Sequence, residues 1–507
     1  MTVTKKIFAA GLACALLAAN IYAQDDWGSD DWSGDSAAAS ENSGSSFWER
    51  FKISGDANLA ARWYFDGENA STSSVNAIPS LKLGLDYDGD STKFSSKIRL
   101  DEQTLKYENE MILDEFKADL FVGDFVLSAG KMKVVWGKGD KLHVLDNFNS
   151  NNYYDFLMPD YLDRRNAEYM FRAQYNSPLG FRVEGIYTPI MHAETYAQKG
   201  PWVPNKVTSL TNQVLSFLDT QYPAGSLKPS SIKKLSTAAE DLYPDTYKLE
   251  YGQFGGYVNF SIGPVDLGVS YYNGHYKQVS ANLTGLIAAG AIAKVAGTPY
   301  ATAYNTALGP YVSMPSLHYD KLQSFGLDAQ TAIGPFTLRS ELVYNLTKDT
   351  DGNDPWTHNN SIGYLFGFDV GLPVHNLNLN VQMTGNVILK KNDIKDNKIV
   401  FASGIPGIST ETYDADYDPT GKYTNHKIVV QLQDKFYYEK VTATIKAIYG
   451  IERADLILMP EVSFKVRDGW KATASGLFIH NFDKKENSEF YGWLDNSFIQ
   501  LAVNYTF

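Results

Sequence analysis

From Phe51 onward, apolar side chains recur at every second position. Phe51, Ile53, Ala57, Leu59, Ala61, Trp63 and Phe65 fall on one face, and Lys52, Ser54, Asp56, Asn58 and Arg62 on the other. A period of two kept over that length predicts a β-strand. Further along, Leu377, Leu379, Val381, Met383 and Val387 alternate with Asn378, Asn380, Gln382, Thr384 and Asn386, so that the second face is polar and uncharged throughout. The last segment repeats the pattern, with Ser497, Ile499, Leu501, Val503, Tyr505 and Phe507 against Phe498, Gln500, Ala502, Asn504 and Thr506. Strands with one continuous apolar face and one polar face are what a barrel needs when lipid lies outside and water inside.

The breaks between strands come in two sizes. Asp88-Gly89-Asp90, Gly123-Asp124, Gly263-Pro264, Gly334-Pro335, the segment 373–376 and Arg467-Asp468-Gly469 carry turn chemistry. Long connections at 137–166, 189–248, 276–320 and 391–425 alternate with them. Short periplasmic turns facing long extracellular loops produce that alternation. The expected fold is all-β, a transmembrane antiparallel β-barrel of 18 strands built from nine hairpins between residues 51 and 507. The weakest patterns are at 109–122 and in the pair flanking 434–438, and without them the count is 16. Small helices are expected in two extracellular loops, from the stripe Val207, Leu210, Val214, Phe217, Leu218 and from the more apolar run at 283–295. Closure leaves no unpaired strand edge in lipid, and barrels of about 16–18 strands usually enclose an aqueous channel.

The N-terminal part of the chain reads differently. Lys5 and Lys6 precede an apolar run at 7–21, and Ala23 is a small residue suited to a cleavage point, so 1–23 is expected to be a secretory signal peptide. Cys14 is the only cysteine and lies inside that run, with Leu12 one place too close for the lipoprotein alternative. Cleavage then leaves a chain without disulfides or cysteine metal sites. Residues 24–47, including DDWGSDDWSGDSAAASENSGSS, are acidic and rich in Ser and Gly, a composition expected to stay disordered in the periplasm. The barrel is assigned to 48–507. At its end, Phe507 behind apolar residues at alternate positions resembles the tail by which bacterial outer-membrane β-barrels are recognised for insertion. The resemblance implies the Gram-negative outer membrane, its lipid, and the barrel-assembly machinery as partners.

Composition agrees with this reading. Aromatic residues make up 14% of the chain, with 33 Tyr, while hydrophobic residues reach only 44%, and mean hydropathy is -0.28. After the N-terminal run no stretch approaches the roughly 18 consecutive apolar residues of a spanning helix. The formal charge of -13 argues against a nucleic-acid partner. The inward face nevertheless carries twelve expected cations, Lys52, Arg62, Lys82, Lys93, Lys97, Arg99, Arg172, Arg182, Arg339, Lys446, Lys465 and Lys471. Eight anions oppose them: Asp56, Asp86, Glu184, Asp266, Asp328, Glu341, Asp369 and Glu461. Six of the cations, Lys52, Arg62, Lys82, Lys93, Lys97 and Arg99, fall on the first three strands as a pore-lining basic strip. Such a strip favours anionic or carboxylate-bearing solutes, unless its members pair with acids on inward loops or with the acidic segment at 25–35.

One stretch carries a second resemblance. In GKMKVVWGKGDKLHVLDNFNSNNYYDF, Gly130, Lys131, Trp136 and Gly137, followed by Gly139, Asp140, Asp146 and Asn149, resemble the strand-end motif G-[R/K]-x4-W-G and its Asp- and Asn-rich loop. Several families of large bacterial outer-membrane porins share that pattern. The resemblance implies a diffusion channel for small solutes. Trp136 is then expected in the aromatic girdle at the membrane surface. Alternatively the loop folds inward, and Asp140, Asp146, Asp155, Asp163, Arg164 and Arg165 narrow the pore.

Other chemistry is sparse. G-x-S-x-G, G-x4-G-K-[S/T] and H-E-x-x-H are absent from the sequence, and the eight histidines stand singly, so no enzyme activity and no cofactor are expected. Asp349, Asp351, Asn353 and Asp354 around Gly352 resemble the start of a calcium loop, but Ile362 occupies the place of its distal Glu. Asp414, Asp416 and Asp418 pose the same question, and no metal is assigned. Two rival functions remain: an outer-membrane transporter of fatty acids or other hydrophobic molecules, drawing on the apolar run at 283–295, and a surface adhesin using the long loops. The sequence sets no oligomeric state.

Overall fold

The computed structural model describes residues 50–65, 76–140, 142–197, 199–203, 243–282, 316–402, 410–416, 418 and 420–507. The expected signal peptide, the acidic segment at 24–47 and both expected loop helices lie outside the described residues.

Eighteen strands form one sheet. In chain order they are β1 Phe51–Tyr64, β2 Asn76–Asp88, β3 Thr92–Leu100, β4 Leu113–Val122, β5 Phe125–Met132 and β6 Glu168–Asn176. Then follow β7 Phe181–Thr188, β8 Gln253–Ile262, β9 Val265–His275, β10 Lys321–Ile333, β11 Phe336–Leu346 and β12 Ser361–Gly371. The last six are β13 Asn378–Ile388, β14 Thr424–Phe436, β15 Val441–Gly450, β16 Asp455–Arg467, β17 Trp470–Asn481 and β18 Phe498–Thr506. Each strand pairs antiparallel with its sequence neighbours, as in Phe51↔Tyr87 between β1 and β2 and Lys131↔Tyr169 between β5 and β6. The sheet closes on itself because β1 also pairs with β18, from Asp56↔Thr506 to Tyr64↔Phe498. The weakly patterned strands of the sequence, β4 and the β14–β15 hairpin, are all present.

The seam continues past the last strand residue. Phe507 N–H donates to Gly55 O and Gly55 N–H to Phe507 O. A Cβ at position 55 would lie 2.3 Å from the Phe507 ring, so glycine makes the seat for that ring.

Parity places the apolar face outside. Leu59, Phe171, Leu327, Phe366 and Val503, on five strands around the wall, are each between 46% and 62% exposed. Apolar exposure continued over every part of the wall far exceeds the few hundred Å² usual for a water-facing surface. The expected turns fall between strands, and two more join them at 177–180 and 437–440. Gly123, Gly263 and Gly334 adopt φ of +57°, +60° and +60°, the left-handed backbone that two-residue hairpin turns require. Long connections leave the opposite rim. Among the described residues, two short α-helices lie there, α1 Glu102–Lys106 and α2 Lys391–Asn397. Helix α1 is fixed by a capping box in which Asp101 and Thr104 bond each other's backbone N–H.

Candidate constriction inside the barrel

The connection between β5 and β6, residues 133–167, folds into the barrel. Its neck is tied by one amide side chain: Asn149 Oδ1 accepts from Val134 N–H (2.8 Å), while Asn149 Nδ2 donates to Met132 O (3.1 Å) and Asn166 O (2.8 Å). From that neck the loop reaches two walls.

On the first wall, Trp136, Leu145 and Phe148 pack against the inward side chains Tyr257 of β8, Tyr272 of β9, Leu322 of β10 and Val343 of β11. Trp136 stacks on Tyr257 at 5.7 Å and meets Phe148 edge-on at 5.0 Å. Its indole Nε1 donates to Glu184 Oε1 of β7 (2.8 Å), whose other oxygen takes Arg172 (2.6 Å). Trp136 is therefore a lumen residue, 2% exposed, and the girdle position expected from the sequence is corrected. The reason is energetic: inside, the ring finds an aromatic partner on two sides and its N–H finds a carboxylate, which a girdle position would not supply.

The tip of the loop converges on Glu341 of β11. Its carboxylate accepts from Gly139 N–H and Val144 N–H, each at 2.7 Å, and lies 2.8 Å from His143 Nδ1. A side chain at Gly137 would place its Cβ 2.1 Å from Glu341 Oε1, and φ there is +110°. The glycines of the W-G-x-G stretch thus let the backbone close onto the acid. Beside it, Asp140 accepts from Asn380 Nδ2 of β13 at 2.7 Å, and its carbonyl from Gln382 Nε2.

On the far wall, eight strands around from β9, Phe156 stacks on Trp202 of the β7–β8 connection at 4.7 Å, against Ile457, Leu477, Ile479 and Phe498. Asp155 holds Arg62 of β1 through two bonds of 2.6 and 2.9 Å, and Asp163 holds Lys82 of β2 at 2.7 Å. Asp160 lies 3.4 Å from Lys446 of β15. Between the walls Arg165 pairs with Asp146 at 3.0 Å, and Tyr161 OH donates to the same carboxylate. Arg164 contributes backbone, accepting from Asn152 N–H. All six residues proposed for a constriction thus belong to the inward-folded segment.

The six residues of the basic strip also face inward, yet each has an acid within 4 Å. Lys52 and Lys93 share Asp88 at 3.8 and 3.4 Å, Lys97 meets Glu115 at 3.1 Å, and Arg99 meets Asp101 at 3.1 Å. With Arg62 on Asp155 and Lys82 on Asp163, the strip is close to neutral. Sequence parity overlooked Glu115, Lys117 and Asp119, inward on β4, although alternation with Phe116, Ala118 and Leu120 marks them. The two acidic stretches weighed for calcium are turns fastened by their own carboxylates. Asp349 accepts from Gly352, Asn353 and Asp354 N–H, and Asp418 from Thr420, Lys422 and Tyr423 N–H. Among the described residues no cluster of three or more His, Cys, Asp or Glu is placed to hold a metal.

Fold and interior together define a class: a closed antiparallel β-barrel with an apolar exterior and a long loop folded across its lumen. No family model and no curated protein matches the chain. Solved structures do match, each covering 90% of its length. They include Acinetobacter baumannii OccAB4 (10% identity, 97% of that chain, TM-score 0.42). Others are Salmonella typhi OmpF in complex with daunomycin (7%, 97%, 0.38) and a mutant of the Rh. blastica porin (10%, 100%, 0.36). The closed barrel follows from the strand pairing of the chain itself.

Proposed function

We infer that the protein is an outer-membrane porin-type channel for the diffusion of small hydrophilic solutes, with residues 133–167 as its constriction. The observation that carries this reading is one loop bonded to inward side chains of β1, β2, β7, β11 and β13, inside a wall whose outer face is apolar. An apolar exterior needs lipid, and a loop held across an eighteen-stranded lumen sets the width of the passage. Phe507 at the seam serves the barrel-assembly machinery as the recognised end of the closing strand. Purified protein in a planar bilayer is expected to give ohmic steps, larger when residues 139–160 are replaced by a short Gly-Ser linker. Absence of conductance in both forms would sink the reading.

The sign of any selectivity is a separate matter. A preference for anionic or carboxylate-bearing solutes draws on the strip, and the acid beside each cation works against it. Reversal potentials under a salt gradient are expected to lie near zero for the wild type. Replacing Lys93, Lys97 and Arg99 by Glu is expected to drive them strongly toward cations. Marked anion selectivity of the wild type would restore the strip as a selector.

A further inference from the structure

Of the twelve inward cations, nine have an acid within 4 Å. Among the described residues the exceptions are Arg182, single on β7, and Lys465 with Lys471, which stand directly opposite each other on β16 and β17. A third cation continues that ladder. Lys465 N–H donates to Lys440 O, so Lys440 stands opposite Lys465 at the foot of β15, on the inward parity of Thr442 and Thr444. All three are exposed and lie at the rim of short turns. Like charges directly opposite on antiparallel strands repel, and at about 4.8 Å per strand the three make a row roughly 10 Å long. The neighbouring charges do not answer it. Lys435 of β14 already takes Glu439 at 3.8 Å, and Arg467 lies 5.3 Å over the Trp470 ring. Glu461 is two inward positions deeper on β16, opposite Thr444 and Ser475, and Asp56 across the seam accepts from Asn504 Nδ2 at 2.7 Å. Asp468, in the β16–β17 turn, is one charge against three.

The chain itself supplies anions for this row. Residues 24–47 carry six acids, Asp25, Asp26, Asp30, Asp31, Asp35 and Glu41, and no Lys or Arg. They lie outside the described residues, but the place where they join the barrel does not: Arg50, 3.1 Å from Asp90, leads into β1 at Phe51. Lys471 pairs with Asn504 and Asn504 with Asn58, seven residues along β1 from Phe51. Seven residues at about 3.3 Å and two strand spacings of about 4.8 Å put Lys471 roughly 25 Å from that entry. Asp35, Asp31 and Asp30 precede Phe51 by 16, 20 and 21 residues. Gly- and Ser-rich chains of that length have root-mean-square spans of about 22–25 Å. A tether whose span matches the gap gives effective concentrations in the millimolar range. Exposed ion pairs contribute only about 0–1 kcal/mol each, so several acids must engage the row at once, and the segment has enough of them.

We propose that the acidic segment at 24–47 docks in cis on the row Lys440, Lys465 and Lys471, lying across the rim of short turns and partly obstructing the passage there. The obstruction rests on the channel reading, the docking does not. Carbodiimide joins an amine to a carboxylate only where the two are in contact. Applied to the purified protein in detergent and followed by peptide mapping, it is expected to link Asp30, Asp31 or Asp35 to Lys440, Lys465 or Lys471. The yield should fall about tenfold in 1 M salt, where the screening length is about 3 Å. In planar bilayers, brief partial blockades of the current should become about fivefold rarer when residues 25–42 are deleted, and equally when the three lysines are replaced together by Gln, the two changes combined adding nothing further. Heat-modifiable migration confirms that each variant is folded. Absence of these links overturns the docking site, as do links confined to Lys52 or Lys93, or blockades insensitive to both changes. Links between isotopically light and heavy chains in a mixture would overturn docking in cis in favour of a second copy. Salt-sensitive links in a protein that conducts no current would overturn the channel reading and leave the docking standing.

Discussion

Replacing Glu341 by Ala should release the tip of the inward loop without dissolving the loop. The carboxylate is 1% exposed and serves Gly139 N–H, Val144 N–H and His143 at once. Hydrogen bonds to a charged acceptor contribute about 1.5–3 kcal/mol each. The freed N–H groups border the lumen and regain water, so the net loss is nearer ~3 kcal/mol than the sum of three bonds. At about 1.4 kcal/mol per tenfold, the ratio of anchored to released tip falls roughly a hundredfold. The neck stays closed because Asn149 still holds Val134, Met132 and Asn166. Single-channel recording should then show a larger conductance with frequent flicker, and amide exchange at residues 139–144 should lose protection. Glu341→Gln, which keeps one acceptor and sets an NH2 against the second N–H, should fall between the two. Unchanged conductance together with unchanged protection at 139–144 would refute the assignment of Glu341 as the anchor.

Gly137→Ala should act in the same direction as Glu341→Ala, because its Cβ would meet Glu341 Oε1 at 2.1 Å; at Gly180, also at positive φ but with nothing within 4 Å, Ala should leave conductance unchanged. Arg62→Met strips Asp155 of both its bonds and removes a guanidinium lying 4.2 Å over Phe498. The expected cost is about 3 kcal/mol, at the lower end for a broken buried pair because Asp155 keeps access to water. It is read as a lower midpoint of urea unfolding in detergent, and an unshifted midpoint would contradict it. The mouth loops should loosen as pH rises. Burial pushes Asp414 up to about 7, against the opposing pull of the Asp416 backbone N–H. Burial also works to lower His358, but its bond to Asp320 and the Asp416 charge hold it above its ordinary value. Both groups bind protons more tightly in the folded loop than in the open one. Their contribution is therefore present at low pH and lost through the window from about 4 to 7 for Asp414 and above about 6.5 for His358. Exchange at 358–360 and 414–416, corrected for intrinsic rate, should be faster at pH 8 than at pH 6, and equal protection would count against the linkage.

The barrel was legible because its information is local. Alternation assigns a face to every residue of β1 or β13, and the turn at Gly263-Pro264 or Gly334-Pro335 fixes where one strand hands over to the next. Closure followed from counting, and β1 does pair with β18. The interior was less legible because its contacts join residues far apart in the chain. Gly139 and Glu341 are separated by 202 positions, Asn380 and Asp140 by 240. Alternation says that Glu341 points inward, but not that a backbone will come to meet it. One local signal did exist: two glycines at Gly137 and Gly139 after a tryptophan, at positions where a Cβ has no room. Crowding of that kind marks a close approach, which a surface loop around a girdle tryptophan would not need.

Charge is where counting inward residues misleads. A long loop inside a barrel brings backbone N–H groups and its own acids to the wall, and each must find a partner because water reaches them incompletely. Glu341 answers the first demand by capping the loop tip, and Glu184 takes the indole of Trp136. Arg62 and Lys82 answer the second by neutralising Asp155 and Asp163. The inward cations of β1 and β2 and the inward acids of β7 and β11 are thus parts of one fastening. Their positions follow from where the loop presents acids and N–H groups, so an excess of cations on the strands alone does not set the sign of the lumen. A substitution that removes one member exposes the opposite charge of its partner. The field along the passage then changes by the partner's charge as well as by the one removed, and a single replacement at this wall alters selectivity and loop position together.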